Sequence, residues 1–196
     1  MLHKMNPALT AQPPQKRRMM LDLETLGRRP GAVVFAIGAV VRGGGKAEAK
    51  HYCVIDPNDA EPAGLAVDAS PAGWWLRQSP EARAELLRAY ADGGPLKETL
   101  YNFANWVAEE KVDEVWCMGA SFDFPLLARA FCVCGLAAAV PWTYQQERCY
   151  RTLAACFPAA RPPRLGVAHH ALDDAEHQLR GLEAILSRLN LAPAAG

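Results

Sequence analysis

Three apolar runs come before any helical spacing, and they restrict the chain to folds that begin on a β-sheet. The segment from Lys16 to Glu24 carries the run MMLDLE, and Val33 to Val41 is rich in β-branched residues. Gly43-Gly44-Gly45 ends that second run as a hairpin turn, and Lys50 to Ile55 reads as the return strand, closed by Asp56-Pro57-Asn58. Helical signals follow. Ser79 is an N-cap, Pro80 suits the first helical position and Glu81 the first turn, with strong helix formers from Ala82 to Tyr90. Leu96, Leu100, Phe103 and Val107 recur at helical spacing through Glu110. Glu114 to Met118 predicts a fourth strand, Phe124 to Phe131 a helix ending near Gly135, and Glu147 to Tyr150 a short fifth strand. A last helix spans about Leu172 to Leu189, with Leu179, Leu182, Ile185, Leu186 and Leu189 on one side. The expected architecture is α/β: a five-stranded mixed sheet, three antiparallel strands first, flanked by helices.

At 196 residues the chain is long enough for one domain with a sizeable core. The expected division is a flexible N-terminal tail over 1–17, polar and Pro-rich, a single domain over 18–190 and a C-terminal tail over 191–196. No apolar run is long enough to span a bilayer, so no membrane partner is expected. The six cysteines, Cys53, Cys117, Cys132, Cys134, Cys149 and Cys156, form no paired CxxC set, which favours reduced thiols in a cytoplasmic protein. Twenty-one basic and 21 acidic residues give zero formal net charge. That balance argues against a surface coating duplex DNA, but not against a grip on a few nucleotides.

Three constellations carry chemistry. Asp22-Leu23-Glu24-Thr25 places two carboxylates on one face of a strand, where they repel unless a cation lies between them. Taken alone, DxE reads more often as an alternating half-exposed strand. Phe122-Asp123, in GASFDFPLL, sits where a strand gives way to a helix, and alone reads as an N-cap Asp. His169-His170-Ala171-Leu172-Asp173-Asp174 puts a histidine before a helix and an acid in its first turn. Alone, that piece reads as capping by Asp173 and a surface histidine.

Together, in this order, DxE, FD and HxAxxD resemble the DEDDh 3′–5′ exonucleases, from about Leu21 to Leu189. That family includes ribonuclease T, oligoribonuclease and the proofreading subunit of bacterial DNA polymerase III. WWLRQSPEAR, GASFD, PWTYQQERCYRT and HHALDDAEHQ are similar to the mycobacterial-type 3′–5′ exoribonuclease branch and its phage exodeoxyribonuclease VIII-like relatives. That branch often has Asp where this chain has Cys149.

The resemblance implies a ribonuclease H-like fold and hydrolysis of phosphodiester bonds from the 3′ end of single-stranded RNA or DNA. It implies two ions, Mg²⁺ or Mn²⁺, since carboxylate oxygens are hard ligands. Asp22 would bridge both ions, Glu24 and Asp174 would complete one, and Asp123 would support the other. His169 would be the general base, because an imidazole titrates near neutral pH. Thr25 and Leu26 would touch the terminal nucleotide, and Phe122 would pack on a base or in the core. Arg28 and Arg29, with Arg148, Arg151, Arg161 and Arg164, suggest a local phosphate track. Trp74 and Trp75 are expected in core or subunit packing, and direct metal binding by His177 is disfavoured. A homodimer is also implied. The competing reading is a catalytically inactive nucleic-acid-binding or interaction module of the same fold; all five family positions are filled here.

Overall fold

The computed structural model describes residues 16–160 and 162–191. Five strands form one sheet in the order β3-β2-β1-β4-β5. They are β1 (Arg18–Thr25), β2 (Val34–Arg42), β3 (Ala49–Val54), β4 (Glu114–Cys117) and β5 (Glu147–Cys149). The first three pair antiparallel, while β4 and β5 run parallel to β1. The mixed sheet with three antiparallel strands first is therefore as expected. At the first hairpin Gly43, Gly44 and Gly45 all have positive φ, which explains the triplet.

Helices α1 (Pro57–Ala60), α2 (Ala69–Trp75), α3 (Pro80–Asp92) and α4 (Leu96–Glu110) separate β3 from β4. Helix α5 (Asp123–Val133) follows β4, α6 (Tyr150–Cys156) follows β5, and α7 (Ala171–Leu191) ends the described chain. The Ser79 hydroxyl caps α3 by accepting from the Ala82 N–H at 3.2 Å. Helices α1, α2 and α6 had no clear signal. Helix α2 contains Gly73 and has no side-chain cap, and α6 begins directly at the end of β5. Among the described residues no helix is long and apolar enough to cross a membrane.

Most of the expected N-terminal tail, residue 161 and residues 192–196 lie outside the described residues. The last two residues of that tail belong to the fold. Arg17 is buried: its guanidinium donates to the Gly43 and Glu110 carbonyls at 3.1 and 3.0 Å and pairs with the Glu110 carboxylate. Lys16 pairs with Glu114 at 2.5 Å. Leu191, expected in the C-terminal tail, is the last residue of α7.

The sheet is covered on both faces. Met19, Leu21 and Leu23 join α4 and α5 in the larger core. Met20, Val40 and Trp116 face the other way, against α6 and α7. Strand β2 is buried over eight of its nine residues, as a strand packed on both faces should be.

Helix α7 crosses β2 at Gly38, where a Cβ would lie 2.2 Å from the Ala171 carbonyl carbon and 2.3 Å from the Leu172 nitrogen. A lone glycine inside a β-branched run marks such an approach of backbones. Gly38→Ala is expected to cost roughly 1–3 kcal/mol by overpacking, read as a melting temperature lower by ~2–4 °C per kcal/mol. Activity should fall with it, since the start of α7 carries Asp174. An unchanged melting temperature would contradict this crossing.

Candidate active site

Strands β1 and β4 are parallel neighbours, so their carboxyl ends open on one side of the sheet, the usual ligand edge of an α/β sheet. Leu23 points into the core beneath α4 and α5, which turns Asp22 and Glu24 together toward α7. Helix α5 begins at Asp123, just past the end of β4; its carboxylate is 3% exposed. Helix α7 brings Asp174 and Gln178, one turn apart, over β1. Gln178 Nε2 donates to Asp22 Oδ1 at 2.6 Å.

His169 stands just before α7 with φ of 64°, a left-handed conformation uncommon outside glycine. Its backbone N–H donates to Asp174 Oδ2 at 3.0 Å. Asp174 Oδ1 pairs with the Arg164 guanidinium, which also donates to the Val167 carbonyl at 2.7 Å. Trp74 meets the His169 ring edge-on, centroids 4.8 Å apart.

Asp22, Glu24, Asp123, His169 and Asp174 all line one cavity of about 400 Å³. Ligand atoms of Glu24, His169 and Asp174 lie within 4.8 Å of one another. A second cavity of about 330 Å³ adjoins it, sharing Glu24 and Phe122, and is lined also by Thr25, Arg28, Trp74 and Arg77.

The electrostatics are those of crowded, desolvated acids. Burial, and then the Asp123 and Asp174 charges, push Asp22 well above the ordinary carboxylate range. Burial, then Asp22, Asp174 and Glu85, do the same to Glu24. Glu24 Oε1 is buried with no hydrogen-bond partner among the described residues. Burial raises Asp123 to about 6, against opposing hydrogen bonds from Cys117 and from backbone N–H groups.

A raised carboxyl pKa means the folded state holds its proton more tightly than the unfolded chain. The associated stability is present below the unfolded value and is lost as pH rises through the folded one. In chelator, wild-type stability relative to Asp123→Asn is therefore expected to fall by roughly 2 kcal/mol between pH 4 and 7, at 1.36 kcal/mol per unit. Comparing the two proteins cancels the opposite trend of His51 and His177, both held below the usual histidine range by burial first. Denaturant unfolding across that pH range checks it; a constant difference would refute the burial argument.

The remaining candidates divide. Phe122 lines both cavities, Thr25 and Arg28 the second, Arg151 the first. Leu26 lines neither: just past the end of β1, it is 2% exposed and packs in the core. Arg148 also falls away from the cavities. It lies on β5, donating to the Gln145 and Glu147 carbonyls at 2.6 and 2.8 Å, 4.0 Å from Glu114. Arg164, expected on a phosphate track, is the partner of Asp174. Arg29 is exposed and lines neither cavity, and Arg161 lies outside the described residues. Trp75 is core, its indole N–H donating to the Thr25 carbonyl at 3.0 Å, whereas Trp74 stands at the rim of the second cavity rather than in the core. His177 lines the first cavity but is not one of the three close-set ligand residues.

Sequence reading gave no role to Gln178, although its place one turn after Asp174 was a usable signal. It also missed a cluster beside the site. His170, the variable position of HxAxxD, is half-buried and stacked on Tyr52 at 4.7 Å, and Tyr52 donates its hydroxyl to Glu85. Nothing in the sequence links these three positions.

Solved structures share this fold. Product-bound exonuclease I superposes with a TM-score of 0.64 at 13% identity, covering 90% of this chain and 44% of that one. E. coli exonuclease I in complex with a dT13 oligonucleotide gives 0.62 at 14%, covering 90% and 43%. A zinc-bound E. coli complex with single-stranded DNA gives 0.60 at 14%, covering 89% and 41%. This chain thus spans less than half the length of these proteins. Among curated proteins, none matches it. Residues 17–186 match the 3′–5′ exoribonuclease Rv2179c-like domain. With this match across most of its length, and with a ribonuclease H-like fold shared with exonuclease I, the chain belongs to the Rv2179c-like 3′–5′ exoribonuclease domain family.

Proposed function

We propose that the chain removes nucleotides from the 3′ end of single-stranded RNA or DNA, using cations held by Asp22, Glu24, Asp123 and Asp174 and a proton acceptor at His169. The observation that carries this reading is the convergence of four carboxylates and one histidine on one cavity. The donor set fits divalent cations. Crowded, desolvated acids that raise the proton affinity of Asp22 and Glu24, and a Glu24 oxygen without a partner among the described residues, are groups that a cation would satisfy. Carboxylate oxygens favour Mg²⁺ or Mn²⁺. Two bound ions would supply charge neutralisation at the phosphate and an activated water.

The protein's own groups do the rest. His169 accepts a proton from the attacking water, its ring held edge-on by Trp74. Gln178 orients the Asp22 carboxylate. The second cavity, walled by Phe122 and Trp74 and edged by Arg28, receives the terminal nucleotide; aromatic walls tolerate any base. Arg151 faces the first cavity with a charge suited to the scissile phosphate.

The test is incubation of matched 5′-labelled RNA and DNA oligonucleotides with Mg²⁺ or Mn²⁺. A descending ladder from the 3′ end is expected, with 3′ overhangs degraded and blunt duplexes largely spared, since fraying a paired end costs stacking energy. Internal cuts, or no change at stoichiometric enzyme, would overturn the proposal.

A further inference from the structure

We propose that Glu85 is a positioning residue: through His170 it fixes the turn that presents His169 to the attacking water. This rests on the exonuclease reading above and adds to it a residue outside both cavities.

His169 needs such a brace. Its φ of 64° is a conformation that a non-glycine residue keeps only where its surroundings over-determine it. Asp174 accepts the His169 N–H. The next residue, His170, closes the start of α7. Its carbonyl accepts the Asp174 N–H at 2.9 Å, and its ring Nδ1 accepts the Asp173 N–H at 3.3 Å. The placement of the His170 ring therefore bears on both the His169 backbone and the Asp174 carboxylate.

That ring is held from β3 and from α3. Tyr52 of β3 stacks on it, with the planes 17° apart and the centroids 4.7 Å apart. With Nδ1 accepting, the neutral ring carries its proton on Nε2, which faces Glu85 of α3 at 3.7 Å. Glu85 also accepts the Tyr52 hydroxyl. Burial, then that hydrogen bond, hold the Tyr52 phenol above its usual range, so it remains a donor. Arg88, three residues along α3, lies over the Tyr52 ring at 5.4 Å. Glu85 thus ties α3 to both rings of the stack. It lines neither cavity, so it acts through His170 and not on the substrate. Its charge also contributes, after burial, Asp22 and Asp174, to raising Glu24. A neutral amide at 85 separates that effect from the brace.

The experiment measures kcat and KM on a 5′-labelled single-stranded oligonucleotide in Mg²⁺. Glu85→Ala is expected to lower kcat about 5-fold with KM unchanged, the pattern of an interaction felt in the transition state. Glu85→Gln removes the same charge but keeps an oxygen for Tyr52 and His170, so it should recover most of the rate. The double variant Glu85→Ala/His170→Ala should be no slower than His170→Ala alone, because the effects of residues acting through one another do not add. Wild-type kcat in Glu85→Ala would overturn the proposal. So would equal losses in Glu85→Ala and Glu85→Gln, which would assign the effect to charge at Glu24. Multiplied losses in the double variant would overturn it too, by making Glu85 independent of His170. Thermal unfolding checks that Glu85→Ala folds. If it does not, Tyr52→Phe, which keeps the stack and removes the hydroxyl, carries the same test with an expected loss in kcat of about 3-fold. Failure of the wild-type protein to degrade any oligonucleotide would instead sink the exonuclease reading, and this proposal with it.

Discussion

Asp22→Asn is expected to make the protein in chelator more resistant to heat while removing nearly all turnover. Asp22 is half-buried on the wall of the first cavity, desolvated and beside the charges of Asp123 and Asp174, so at neutral pH its ionised form penalises the folded state. Asparagine keeps an oxygen for Gln178 Nε2 and removes the charge. The gain should be on the order of 1–3 kcal/mol, the range in which single substitutions act. In a chain of this size that corresponds to ~2–4 °C per kcal/mol. Added Mg²⁺ should reverse the order. It stabilises wild type by roughly 2.7 kcal/mol at a concentration 100 times its Kd and Asp22→Asn by much less. Turnover should fall by at least ~10²–10³, since charge neutralisation at a phosphate supplies several kcal/mol of the barrier. Paired melting curves, with chelator and with millimolar Mg²⁺, decide the matter. If the variant melts lower than wild type in chelator, Asp22 contributes structure and not stored repulsion.

This trade between stability and chemistry also explains what could be read from the sequence. Asp22 and Glu24 were legible because strand alternation fixes their common face whatever the rest of the chain does. Asp123 and Asp174 were legible because each opens a helix just after a recognisable signal, GASF and HHAL. The sheet was legible because β-branched runs and the Gly43-Gly44-Gly45 turn are local features. What escaped depends on contacts between distant segments. The position of α7 is set by a close approach at Gly38, 133 residues before Ala171. Arg164 sits ten residues before Asp174, in a segment without regular spacing, so its engagement of that carboxylate could not be told from an exposed phosphate contact. Leu26, which the family resemblance places on the terminal nucleotide, lies just past the end of β1 and packs its side chain in the core, a contact with distant segments that the motif does not show. Trp74 and Trp75 are adjacent yet divide between rim and core, because neighbouring residues in a helix point about 100° apart.

The adjacent histidines allow the sharpest separation of roles. His169 lines the cavity, while His170 turns away to stack on Tyr52, accept the Asp173 N–H at 3.3 Å and lie 3.7 Å from Glu85. An alanine at 169 would mix chemistry with backbone strain, because φ there is 64°. Asparagine tolerates that conformation, so His169→Asn isolates the imidazole. It should keep Mg²⁺-dependent stabilisation and oligonucleotide binding while losing roughly 10²–10⁴-fold in turnover, the usual worth of a general base. Its residual rate should rise with pH, as hydroxide replaces the missing proton acceptor. As the variable position of HxAxxD, His170 would be a neutral control. Its stacking against Tyr52 instead predicts that His170→Ala lowers stability by ~1 kcal/mol and turnover by about 10-fold, equal to ~1.4 kcal/mol of barrier, through loosening of the turn that holds His169. The pH dependence of the rate should keep its wild-type shape, because the proton acceptor is still present. If His170→Ala acquires a rate that climbs with pH while His169→Asn keeps the wild-type profile, the two roles are reversed and the mechanism proposed for this cavity is wrong.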